Sequence, residues 1–202
     1  MELLRDVYSF GQLQVLSEVK GNGRMKLRGL FQEAEKVNGN KRIYPKKLLE
    51  REINNLRPML KERRLVGELD HPKDEIVHLI NASHVITDLC MENNQVIGEL
   101  EVLDTPAGKV LQELVKAGVQ VGISSRATGS LEPMPNEACY LVGDSLRMIT
   151  WDMVSDPSCQ GAFPTLQESQ SINEVRQPIV EELPKMHAEQ IYIAALKRHL
   201  KK

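Results

Sequence analysis

A chain of 202 residues holds one domain of ordinary size with tails, or two small domains, and can bury a core without staples. Its 41% hydrophobic and 27% charged residues are a soluble globular balance, while a formal net charge of -2 and 4% aromatics exclude a basic or base-stacking nucleic-acid platform. No apolar run approaches the roughly 18 residues a membrane helix needs, and the three scattered cysteines, Cys90, Cys139 and Cys159, form no CxxC pair, which speaks against a disulfide framework and a structural zinc site.

The N-terminal "MELLRDVYSFGQLQ" carries acids and no long apolar stretch, so it does not read as a secretory signal. "MKLRGLFQEAEKV" alternates as a strand, with Leu27, Gly29 and Phe31 on one side. "NGNKRIYP" is a turn. The helix after it places Leu48, Leu49, Ile53 and Leu56 at helical spacing, and Pro58 is expected to end or kink it. "RLVGELDHP" is a short strand running into a proline. Residues 75–105 read as two strands joined at Asn93-Asn94. Thr105 caps, Pro106 starts and Gly118 stops a second helix.

"VQVGISS" is a strand, and "SSRATG" beyond it reads as an irregular turn. "ACYLVGDSLRMITWDMVSDP" reads as a hairpin turning at Gly143-Asp144. The texture then changes: residues 164–184 are polar and proline-rich, a mobile linker, and 185–202 form a short basic-ended helix. Four parts result: an N-terminal segment (1–24), a main domain (25–163), a linker (164–184) and a C-terminal helix (185–202). Strands in irregular order with few helices favour an antiparallel barrel or sandwich of the α+β kind.

Which residues could do chemistry? A serine hydroxyl needs a neighbouring base, an orienter for that base, and donors where an oxyanion forms. Ser124 and Ser125 sit at a strand end, followed by Arg126 and Gly129; the stretch suits a surface turn or a nucleophile with its anion pocket. His71 lies at the junction between a short apolar strand and Pro72, where site residues often sit, or is a turn histidine. His78 and His84 read as structural, and His187 and His199 as solvated. Asp152 is a charge inside an apolar strand beside the only tryptophan, so it is exposed or paired. A metal site from Glu68, Asp70, His71, His78 and His84 matches no helical ligand pattern, so no metal or cofactor is expected. The cysteines read as structural.

Four stretches, "LRGLFQEAEKVNGNKRIYPKKLLE", "LVGELDHP", "AGVQVGISSRATGSL" and "WDMVSDPSCQGAF", occur in the order found in the prohead core proteases of T-even-type bacteriophages, which the chain resembles across most of residues 27–163. The resemblance implies a serine endopeptidase in which His71 and Ser124 are the working residues, since the family's histidine lies in its GEL-x-HP segment and its serine is the first of the SSR pair. It also implies kinship with herpesvirus assembly proteases, whose Ser-His-His set lies on a closed β-barrel. The expected fold is therefore α+β, a mainly antiparallel closed β-barrel with a few flanking helices. Chain order nominates Asp152 as the third member, a carboxylate in place of the second histidine.

Ser125, Arg126 and Gly129 would support the oxyanion and its turn. The implied partners are peptide segments of scaffold and capsid proteins and the prohead core, inside the prohead in the host cytoplasm, with a homo-oligomer left open. The family's preference for cutting after Glu, with Leu or Ile two residues earlier, makes "LQE", "INE" and "IVE" candidate self-cleavage sites, at Glu168, Glu174 and Glu181. The competing expectation is a non-enzymatic capsid or tail-tube-like assembly protein on the same barrel; a weaker one is a metal-dependent hydrolase around His71 and Glu68.

Overall fold

The computed structural model describes residues 2–8, 14–16, 23–134 and 138–155. Eleven strands are seen among them: β1 (Glu2–Tyr8), β2 (Gln14–Leu16), β3 (Lys26–Glu33), β4 (Arg42–Ile43), β5 (Val66–Glu68), β6 (Ala82–Glu92), β7 (Gln95–Val102), β8 (Gly122–Gly129), β9 (Leu131–Pro133), β10 (Tyr140–Val142) and β11 (Arg147–Val154). Two helices, α1 (Lys46–Lys61) and α2 (Pro106–Lys116), and a short 3-10 turn at Leu79–Asn81 complete the set.

Local signals account for several of these elements. In β3, Leu27, Gly29 and Phe31 are buried as the alternation requires. The β6–β7 hairpin turns at Asn93, whose φ of 56° is a conformation asparagine tolerates. Thr105 caps α2 by accepting from the Gly108 amide at 3.0 Å, Pro106 occupies the first turn, and Gly118 leaves at φ 73°. Pro58 does not end α1: the helix runs to Lys61, because a face made of Leu49, Ile53 and Leu56 is buried and outweighs one lost backbone bond.

The strands form three sheets, in the orders β2-β3-β7-β6-β5, β1-β8-β11 and β4-β10-β9. Among the described residues the strand pairings within these sheets are antiparallel except the short β4–β10 pair. The fold is thus α+β with antiparallel sheets, and the expected closed barrel is corrected: the sheets do not join into one ring. The reason lies where closure would have to occur. β5 has three residues with a register shift between Gly67 and Glu68, and it meets β11 only through the single bridge Leu69–Met153. Asp70 then turns away with φ 65°, so no continuous ladder can grow there.

The expected hairpin around Gly143-Asp144 is also revised. The turn exists, with the Leu146 amide donating to the Gly143 carbonyl at 3.1 Å. Its arms enter different sheets, however: β10 pairs with β9 and β4, while β11 pairs with β8. Alternation identifies a strand and not its partner. β1, from the segment before the expected main domain, lines the other side of β8 from Ile123 to Gly129. Between the sheets Leu27, Phe31, Leu100, Ile123 and Trp151 form the buried core, with the Phe31 and Trp151 rings 5.9 Å apart and tilted.

Candidate active site

Every residue of β8 is buried, so its two faces must be told apart by what they touch. Ile123 and Ala127 join Trp151 and Met153 of β11 in the hydrophobic core. Strand alternation sends Ser124 and Arg126 to the other face. The register across β8 and β11 sets Asp152 opposite Ser124. That register depends on an irregularity between Met148 and Thr150: beyond it Thr150 opposes Arg126, and without the extra residue Trp151 would oppose Ser124. One bulged residue therefore aims a carboxylate, and not an indole, at the serine's face.

His71 arrives from β5. Gly67 in that strand lies against the Trp151 carbonyl and the His84 ring so closely that a Cβ would overlap both. This close approach brings the end of β5 onto β11, where the Asp70 amide donates to the Met153 carbonyl at 2.7 Å. The left-handed Asp70, with its side chain exposed, turns the chain so that the next residue faces the sheet.

His71 Nδ1 lies 2.8 Å from Asp152 Oδ2, and its Nε2 is hydrogen-bonded to Ser124 Oγ. With the proton on Nδ1 donated to the carboxylate, Nε2 is free to accept from the hydroxyl. Asp152 is fully buried, whereas the His71 side chain keeps 13% exposure. The Asp152 carboxylate also accepts from the Glu68 amide at 2.9 Å and from Arg126 Nη2 at 3.2 Å. The structure thus brings together His71, Ser124 and Asp152, residues separated by up to 81 positions in the chain.

The three support residues separate. Arg126 shares the face of Ser124. Ser125 points the other way and donates to the Asp6 carbonyl at 3.3 Å. Gly129 is five residues along a regular strand, about 17 Å from Ser124, and packs against Leu4 and Leu146. The irregular turn expected after Ser125 is instead β-strand through Gly129, because β1 and β11 pair with it on both sides. Glu168, Glu174 and Glu181, with Cys159, His187 and His199, lie outside the described residues.

Glu68 is fully buried and faces Arg126, while His71 faces Asp152 and Ser124, so the two do not converge as metal ligands; among the described residues no group of three His, Cys, Asp or Glu could hold an ion. His78 pairs with Asp74 near the surface. His84 is buried, its Nε2 bonded to the Trp151 carbonyl at 3.0 Å, and burial pushes it down to about 4 against the pull of the Asp152 charge. Neither Cys90 nor Cys139 forms a disulfide among the described residues, and burial pushes the Cys90 thiol up, away from reactivity.

Sequence reasoning overlooked two things. The Glu68–Arg126 ion pair joins a strand end to a strand centre 58 residues on, with no local signal. Asp6, in the N-terminal segment, is a third fully buried carboxylate beside Glu68 and Asp152, held by Asn40, Arg42 and Tyr44.

Comparison with known proteins bears on this geometry. The family described as prohead core protein serine protease matches residues 16–174. The prohead core protein protease of Enterobacteria phage T4 is 34% identical over 146 residues, covering 70% of this chain and 68% of that protein. The solved structure of the bacteriophage T4 capsid assembly protease matches with a TM-score of 0.71 at 29% identity, over 77% of this chain and 98% of that one.

Proposed function

From the premise that the chain belongs to the prohead core protein serine protease family and is a serine peptidase, we propose that Ser124 is its nucleophile, His71 its general base and Asp152 the residue that orients the imidazole. The observation that supports this reading most is one ring bonded at both ends, to Asp152 through Nδ1 and to Ser124 through Nε2.

The chemistry follows from that arrangement. Ser124 Oγ attacks the scissile carbonyl carbon while its proton passes to His71 Nε2. The buried Asp152 carboxylate stabilises the imidazolium so formed and keeps the tautomer correct. Collapse of the tetrahedral adduct breaks the C–N bond, and His71 returns the proton to the leaving amine. Water, activated by the same imidazole, then attacks the acyl-serine and releases the new carboxylate. His71 is the member that keeps solvent contact, so substrate enters from its side.

The role of the chain is that of a serine endopeptidase in capsid and scaffold maturation. Within that role we infer substrates that are peptide segments of scaffold and capsid proteins, cut after Glu in Leu/Ile-x-Glu contexts inside the prohead. Glu168, Glu174 and Glu181 are then self-cleavage sites in a linker (164–184) that precedes a terminal helix (185–202). Mass spectrometry of the purified chain against Ser124→Ala tests this: new termini after those glutamates are expected in the first only, and an intact active chain overturns tail processing. A fluorophosphonate probe tests the nucleophile. Labelling is expected at Ser124; labelling and activity that survive Ser124→Ala but vanish in Ser125→Ala would move the nucleophile by one residue.

A further inference from the structure

Behind the histidine, two carboxylates share one guanidinium. The side chains of Glu68, Arg126 and Asp152 have no solvent contact. Arg126 Nη2 donates to Glu68 Oε1 at 2.9 Å and to Asp152 Oδ1 at 3.2 Å, and Nε lies 2.9 Å from Asp152 Oδ2. Its Nη1 donates to the Ile76 carbonyl at 2.8 Å and reaches the Asp74 carbonyl at 3.4 Å. Glu68 grips the same segment: Oε1 accepts from the His78 amide at 2.9 Å, and Oε2 from Asn81 Nδ2 at 3.2 Å. The chain that leaves His71 is therefore held, from residue 74 to 81, by the ion pair that also holds Asp152.

Burying three ions is expensive, and an apolar replacement of similar shape would often be more stable. Their formal charges sum to one negative charge, cancelled only when His71 carries a proton. That balance suits a site whose imidazole is charged in the transition state and neutral before it.

We propose that Glu68 is a positioning residue that acts through Arg126. It holds the guanidinium against Asp152, and it anchors the 74–81 segment so that His71 stays between Asp152 and Ser124. Arg126 is accordingly a brace for the carboxylate and not an oxyanion donor. This inference rests on the triad reading above.

The test is the saturable labelling of Ser124 in the full chain by a fluorophosphonate, with Glu68→Gln, Asp152→Asn and the double variant. Glu68→Gln should lower the maximal labelling rate about tenfold, the usual size of a lost supporting partner, with half-saturation within about twofold. In the Asp152→Asn background the same change should cost less than about twofold, because the effect runs through Asp152. A merely structural role would give equal losses in both backgrounds, and that result overturns the inference. So does an unimpaired Glu68→Gln beside an impaired Asp152→Asn. An unlabelled wild type or a fully reactive Asp152→Asn overturns the triad reading instead, and this inference with it. Should Glu68→Gln fail to fold, Arg126→Lys keeps the charge but cannot reach Glu68, Asp152 and Ile76 together. It should show the same slow labelling and the same dependence on Asp152, and a wild-type rate overturns the inference.

Discussion

Two carboxylates lie on opposite faces of one small sheet. Asp6, on β1, is in register with Ser125; Asp152, on β11, is in register with Ser124. Both are fully buried and both meet an arginine, Arg42 at 3.0 Å for Asp6 and Arg126 at 2.9 Å for Asp152. Asp6 also accepts from Asn40 Nδ2 at 2.6 Å and from the Tyr44 hydroxyl, which satisfies it as a tether of β1 to the 38–44 turn. Asp152 spends one oxygen on an imidazole that itself touches a hydroxyl. Burial and hydrogen bonding make a carboxylate structural; a titratable relay to a nucleophile is what gives it chemistry to do.

The sharpest way to break this comparison is at the hydroxyl. Ser124→Ala should lower kcat with a peptide substrate on the order of 10⁶-fold, leaving only background hydrolysis, with thermal stability close to that of the parent. Asp152→Asn should cost about 10⁴-fold in kcat, because the amide favours the wrong imidazole tautomer. Asp6→Ala should do the reverse. It strands Arg42, whose side chain is only 15% exposed, at a cost of about 3 kcal/mol in urea denaturation, while kcat of the folded enzyme stays unchanged. A kcat loss in Asp6→Ala matching that of Asp152→Asn would erase the distinction between the two faces.

A third group sharpens it. His84 touches the Trp151 carbonyl, one residue from Asp152, yet takes no part in the relay. Its folded value of about 4 lies below the ordinary 6.5, so the unfolded chain takes up a proton that the folded chain refuses. Its contribution is present above pH 6.5 and is lost as pH falls toward 4, by about 3 kcal/mol in all. Urea titrations across that range should show a shallower pH dependence in His84→Gln. The smallest effect belongs to α2, where Thr105→Ala removes the cap and should cost about 1 kcal/mol in the same assay without changing kcat.

Much of the local structure was legible because its causes are local. The Thr105-Pro106 start and Gly118 stop of α2, the Asn93-Asn94 turn and the buried alternation of β3 are each set by a few neighbouring residues. β1 was not legible, since its strand character comes from pairing with β8 and not from its own pattern. Nor was the alternation of β8, because both faces are covered and every position is buried. His71, Ser124 and Asp152 could be nominated from ordered stretches resembling a family; Glu68 could not, since its partner is chosen by packing across 58 residues.

By itself the amino-acid sequence determined α1, α2 and the Asn93-Asn94 turn, because caps, glycines, prolines and hydrophobic period act within a turn or two of chain. Only the tertiary structure decided that the sheets stay open, that the 124–129 stretch is strand, and that a bulge near residue 149 puts Asp152 rather than Trp151 across from Ser124. Register and sheet closure are settled by contacts between distant strands, and a shift of one residue there exchanges the two faces of a strand.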